Sequence, residues 1–189
     1  IFMSWNIRTD LAIETREFYK KAEKIEDEIP GVKTDIEQVD GGFKITNVRI
    51  LSEEGADALG KPIGSYYTLE VENLSMGIEE ISETVKEKIA TILKNILNLS
   101  PDDKVLVVGL GNEDVTPDSV GPKVISKIEV TNHLIKYVPQ YIKEGTRPVC
   151  AIVPGVLGTT GIETSDIIKA ITDETKPNAI IVVDALAAR

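Results

Sequence analysis

The sequence is poor in the residues that many enzyme classes depend on. It holds one cysteine, Cys150, in 189 residues, so no intrachain disulfide can form. Cysteine use this sparse fits a reducing, intracellular compartment. The one histidine, His133, falls on a predicted surface segment and reads as structural. That argues against a Ser-His-Asp triad and against a histidine-based zinc site. Cations are also short: 21 Lys and Arg face 31 Asp and Glu, a formal net charge of -10. Nucleic-acid binding needs clustered Lys and Arg, so an acidic chain of this kind speaks against it. The charge suits solubility, or a basic or neutral polypeptide partner. No apolar run approaches the roughly 20 residues that span a bilayer. The opening Ile1-Phe2-Met3-Ser4-Trp5 is too short for a signal peptide and lacks its basic flank. The chain starts on Ile1 rather than Met, and Arg189 follows directly on a predicted strand. Residues beyond both ends are therefore expected.

What is present is patterned. Leu11, Phe18, Ala22, Ile25 and Ile29 recur at helical spacing and predict a helix over 11–29, stopped by Pro30-Gly31. Residues 43–50 and 66–71 read as strands of a hairpin or small sheet, joined by a connection punctuated by Gly55, Gly60, Pro62 and Gly64. Ile78, Ile81, Val85, Ile89, Ile92 and Ile96 form one stripe of a helix over 77–99, with Ser75 as its cap.

From Lys104 the pattern alternates. Val105-Leu106-Val107-Val108 is a continuous apolar run, as in a strand covered on both faces. A helix is expected near 119–128, a strand at 149–153, a helix over 162–175 capped by Thr160, and a strand at 179–183. This is βαβαβ order and implies a parallel sheet. The fold class is α/β, a parallel-rich sheet flanked by helices with an N-terminal α+β part. The expected boundaries are a prosegment at 1–10, an α+β part at 11–101 and an α/β core at 102–189. Cys150, mid-strand, reads as a small buried hydrophobe.

In open parallel sheets, ligands and catalytic groups gather at the carboxyl ends of the strands. Three segments fall there: 109–122, 154–161 and 184–189. The first begins Gly109-Leu110-Gly111, but the third glycine of a dinucleotide fingerprint is replaced by Asp114. Glu113, Asp114 and Asp118 would repel a pyrophosphate. Asp118 at a helix start and Asp184 at a strand end remain, in turns that can face one another. Two converging carboxylates can share a proton and activate water for amide hydrolysis. They can also hold a divalent metal that does the same. Taken singly, each is the kind of aspartate that caps a helix or closes a turn. Gly109 and Gly111 allow a tight turn, and Asn112 could hold it or orient Asp118. Gly155, Gly158 and Gly161 form a substrate-binding loop or a flexible crossover.

These segments resemble the germination protease of spore-forming bacteria. The resemblance rests on residues 107–112, Val115-Thr116-Pro117-Asp118, Val120-Gly121-Pro122, Pro154-Gly155-Val156, 160–166 and Asp184-Ala185-Leu186-Ala187-Ala188-Arg189. Arg8-Thr9-Asp10-Leu11-Ala12 and Gly60-Lys61-Pro62 also fit. It implies an aspartic-type endopeptidase acting on small acid-soluble spore proteins, with Asp118 and Asp184 as the essential pair. It further implies a three-layer fold like that of the hydrogenase maturation endopeptidases, a homotetramer, and a place in the forespore or spore core. The family is made as a zymogen that cuts its own N-terminal segment. Thr9-Asp10-Leu11-Ala12-Ile13-Glu14 looks like the family's substrate site, which places self-cleavage between Asp10 and Leu11. No cofactor is expected. Trp5, Phe2 and Tyr19 either pack the prosegment onto the body or are ordinary core residues. Two other readings remain open: a metal-dependent maturation-type peptidase using Asp118 and Asp184 as ligands, and a catalytically incomplete fragment acting in binding or assembly. The resemblance also implies a longer chain, continuing past Arg189.

Overall fold

A computed structural model describes Thr9 and residues 11–24, 27–39, 43–71 and 78–186. Residues 1–8 and Asp10 of the expected prosegment, the cap Ser75, and Ala187-Ala188-Arg189 lie outside the described residues. The chain forms two compact units, Ile1–Ile96 and Leu97–Arg189.

The first unit is built on an antiparallel sheet. Strands β1 (Val32–Val39), β2 (Phe43–Ile50) and β3 (Gly64–Val71) lie in sequence order, with β2 central. Val32 pairs with Ile50, and Ile50 in turn with Gly64. Helices α1 (Ala12–Glu23), α2 (Glu53–Leu59) and α3 (Ile78–Leu97) complete its elements. Ala12, Ile29, Val32, Val48, Ile50 and Leu59 form a buried cluster, and Tyr19 and Tyr66 pack against it. Each such aliphatic side chain removed from water contributes about 1.5–3 kcal/mol. Cross-strand ion pairs Lys44–Glu70 (2.9 Å) and Arg49–Asp35 (2.7 Å) trim the sheet's polar surface.

Three expectations need correction here. The first helix stops at Glu23, six residues short of Ile29, because Lys24 turns left-handed at φ 53° and its N–H returns to the Lys20 carbonyl. It buries Ala12 and Thr15 rather than the Leu11–Phe18 stripe, and Phe18 stands 51% exposed. The early stop frees Ile29 to enter the core separately. Second, β1 is a strand that the periodicity did not reveal. Its sequence, Val-Lys-Thr-Asp-Ile-Glu-Gln-Val, is mostly polar because it is an edge strand with one wet face. Third, the connection between β2 and β3 contains α2, capped at its start by the Ser52 hydroxyl, which accepts from the Gly55 N–H, and closed by left-handed Gly60.

The second unit is a parallel sheet of order β5-β4-β6, formed by β4 (Val105–Gly109), β5 (Val149–Ile152) and β6 (Ala179–Val183). All five residues of β4 are buried, as its unbroken apolar run requires. Val105 sits level with both Val149 and Ala179. Helix α4 (Val120–Ile125) packs on β4 and β6. The connections carry α5 (Asn132–Tyr137), α6 (Leu157–Thr160) and α7 (Thr164–Thr175). Arg147 anchors the entry to β5, its guanidinium donating to the carbonyls of Ser100 (2.7 Å) and Asp103 (2.9 Å). Thr160 does not cap α7. It closes α6, which left-handed Gly161 ends, and Glu163 holds the cap position of α7. The whole is α/β, with one antiparallel and one parallel sheet.

Candidate active site

The carboxyl edge of the parallel sheet collects the chemistry-bearing turns. At the end of β4, Leu110 N–H donates to the Val183 carbonyl at 2.8 Å, so the exits of β4 and β6 are tied together. Gly111 then adopts φ 112°, a value open to glycine, and a methyl group there would collide with the Asp118 carbonyl oxygen. This turn aims the Asn112 N–H back at Asp118. It forks between the Asp118 carbonyl (3.1 Å) and carboxylate Oδ2 (2.8 Å). The Asn112 side chain closes the loop by accepting from Asp114 N–H at 3.0 Å, an Asx turn. Asn112 thus holds Asp118 through its backbone and the loop through its amide. Asp118 ends a short 3-10 turn, Thr116–Asp118, and is half-buried. Its neighbour Ser119 is 1% exposed and donates to the Thr116 carbonyl at 2.9 Å.

Asp184 follows Val183 directly and is exposed. Its Oδ1 accepts from Ala185 N–H at 2.8 Å. Each aspartate therefore has one oxygen engaged by a backbone amide. Among the described residues, Asp118 Oδ1 and Asp184 Oδ2 accept no hydrogen bond. Gly121, in the first turn of α4, explains why the two turns meet. A methyl there would run into the Leu110 carbonyl and lie 2.7 Å from the Val183 carbonyl. The helix carrying Asp118 at its entrance is thus pressed against the strand exit that carries Asp184. In the sequence Gly121 stands out only as part of Val120-Gly121-Pro122, with no role assigned; its signal is a glycine inside a helix start, next to Pro122.

The loop after β5 lies at the same edge, on the other side of β4. Gly155 turns at φ 77° and its carbonyl accepts from the Thr164 hydroxyl at 3.1 Å. Gly158 is exposed within α6, and Gly161 terminates it. The Thr159 and Thr160 hydroxyls both donate to the Val156 carbonyl, at 2.9 and 3.2 Å. The loop is therefore internally bonded rather than slack. Val120, Val153, Leu157, Ile162 and Leu186 present exposed apolar side chains along this edge. Gly109 ends β4, buried beneath α4. Cys150 is half-buried within β5 and His133 is exposed on α5, neither in these turns.

Among the described residues, no three His, Cys, Asp or Glu side chains cluster closely enough to hold a metal ion. No helix among the described residues is long and apolar enough to cross a membrane. Leu11, on the far side of the expected self-cleavage point from Asp10, lies in the first unit as the cap residue of α1.

A family model described as germination protease matches residues 12–189. A germination protease of Clostridium perfringens is 48% identical over 185 residues, covering 98% of this chain and 56% of that protein. One from Clostridium tetani is 47% identical over 97% of this chain and 56% of the relative. The Bacillus subtilis germination protease is 46% identical over 97% of this chain and 50% of the relative. The chain thus spans about half the length of the curated relatives it matches.

Proposed function

The chain belongs to the germination protease family, and from that premise we propose that it is the part of an endopeptidase that carries the hydrolytic pair Asp118 and Asp184. The reading is supported by the adjacency of the two turns that carry these aspartates. The Leu110 N–H to Val183 carbonyl bond and the close seat of Gly121 bring their turns to one corner of the sheet edge. One carboxylate, ionised, takes a proton from the attacking water. The other, protonated, donates to the scissile carbonyl oxygen; as the tetrahedral intermediate collapses it takes that proton back, and the first carboxyl passes the proton from water to the leaving nitrogen. A pair of this kind titrates together, so the roles belong to the dyad. Asn112 N–H, bonded to Asp118 Oδ2, holds that carboxyl group in place and leaves Oδ1 to face the reaction.

The substrates are small acid-soluble spore proteins cut during germination, in the spore core. The exposed apolar side chains along the sheet edge suit the apolar residue that follows the acid in Thr9-Asp10-Leu11-Ala12. The protein is made as a zymogen that cleaves itself between Asp10 and Leu11 and works as a homotetramer, in a fold related to the hydrogenase maturation endopeptidases.

The deciding experiment is Asp118→Asn and Asp184→Asn in the intact protein, assayed on a spore protein substrate with and without a chelator. Each variant should lose about 10²–10⁴-fold in rate with its thermal midpoint unmoved. Near-normal cleavage by either removes that residue from the mechanism. Rates abolished by the chelator would transfer the work to a bound divalent ion.

A further inference from the structure

Thr9 and Leu11 are each held by hydrogen bonds, and those bonds include the Leu11 amide on which the proposed self-cleavage depends. The Lys61 ammonium donates to the Thr9 carbonyl oxygen at 3.1 Å, across 52 residues of sequence. Leu11 N–H, the nitrogen that Asp10–Leu11 cleavage would release, donates to the Thr9 hydroxyl at 3.3 Å. That hydroxyl itself donates to the Glu14 carboxylate. The Leu11 carbonyl accepts from both the N–H and the hydroxyl of Thr15, each at 3.2 Å. Leu11 is thus already the cap of α1. The next residue, Ala12, is 2% exposed within the buried cluster that contains Val48 and Ile50.

Lys61 is built to hold this position. Its backbone N–H bonds to the Ala56 carbonyl at 3.2 Å, beyond the left-handed Gly60 that ends α2. Pro62 restricts its backbone to extended values. The Pro62 carbonyl is pinned in turn by the Tyr66 hydroxyl at 2.6 Å. A rigid turn thus presents the ammonium, and a charge-assisted bond to a half-buried carbonyl is among the stronger kinds.

A hydrolytic site takes its peptide in extended form. Here the residues on the leaving-group side are a helix start whose first alanine is packed into the core. For cleavage, Leu11 and Ala12 must first leave the helix, a local opening whose cost the Lys61 bond raises. We propose that Lys61 is a positioning residue that withholds the Asp10–Leu11 bond from hydrolysis by clasping Thr9 against the α2–β3 turn. The proposal rests on the reading of Asp10–Leu11 as the processing point, and its test is made independent of that reading.

The test uses Lys61→Gln, Lys61→Arg and Thr9→Val in the intact protein, with an added aspartate-specific endopeptidase as the probe of the bond. Lys61→Gln should be cut at Asp10–Leu11 about tenfold faster than the parent, the effect of losing one charged hydrogen bond. Amide exchange at Leu11 should rise in parallel, with the thermal midpoint of unfolding unchanged. Lys61→Arg, which can still donate, should stay near the parent rate. Thr9→Val, which frees the Leu11 N–H, should also be cut faster and stands in should Lys61→Gln fail to fold. Equal cutting and equal exchange in Lys61→Gln and the parent overturn the clasp, as does Lys61→Arg behaving like Lys61→Gln. Faster cutting by the added enzyme with no self-processing in any form supports the clasp and defeats the processing reading instead.

Discussion

The two units use opposite strategies for the same materials. In the first, a meander of three antiparallel strands closes a core in which Ile29, Val32, Val48, Ile50 and Leu59 are each 3% exposed or less. In the second, burial concentrates on one strand. Val105 to Val108 are at most 5% exposed, whereas Ile180 and Val182 on β6 stand 40% and 52% exposed. The turns that bear Asp118 and Asp184 are at the end of that second sheet, beside exposed apolar side chains. Packing shapes the first unit, and backbone turns shape the candidate site of the second.

Substitutions can break or sharpen that contrast. Apart from the aspartate exchanges, the largest effect should come from Ile50→Ala in the first unit, at about 2–5 kcal/mol by denaturant unfolding. Its aliphatic neighbours in the cluster cannot collapse fully into the space left. Gly111→Ala comes next. It forces a side chain into a left-handed turn and into the Asp118 carbonyl, at about 1–3 kcal/mol. Its mark should be a fall in kcat larger than the change in thermal midpoint, because Asn112 N–H would no longer reach Asp118 Oδ2. A loss of stability without a loss of rate would detach that turn from catalysis. Smallest is Val182→Thr on the open face of β6, within about 0.5 kcal/mol either way by the same unfolding measurement. A cost as large as that of Ile50→Ala would show this face to be covered in solution.

The sequence carried these two units unequally. β4 was legible because a strand buried on both faces must be apolar throughout, and Val105-Leu106-Val107-Val108 has no other reading. Its neighbours followed from βαβ order. Asp118 and Asp184 were legible as residues at strand-end turns. How their turns come to adjoin was not, since it depends on the backbone angle of Gly111 and on how closely α4 approaches at Gly121. In the first unit, β1 stayed hidden because the residues that alternate with Lys33, Asp35 and Glu37 include Thr34 and Gln38, a set too polar to stand out as a buried face. Helix α2 stayed hidden because seven residues are too few for a periodicity to declare itself. The end of α1 was misplaced because the apolar stripe through Phe18 is not the face the fold buries.

The central place of β4 has a consequence for the order of events when the chain folds. In the first unit each strand pairs with the next one along, and the closures are short. In the second, Val105 must find Val149 and Ala179, both far downstream, before its strand has any partner. Closing long loops before contacts repay them slows assembly. The antiparallel meander should therefore gain protected amides first, while the sheet that bears Asp118 and Asp184 waits for its last strand. The turns that carry Asp118 and Asp184 come side by side only when β6 docks, so they adjoin at the final step of folding in their unit.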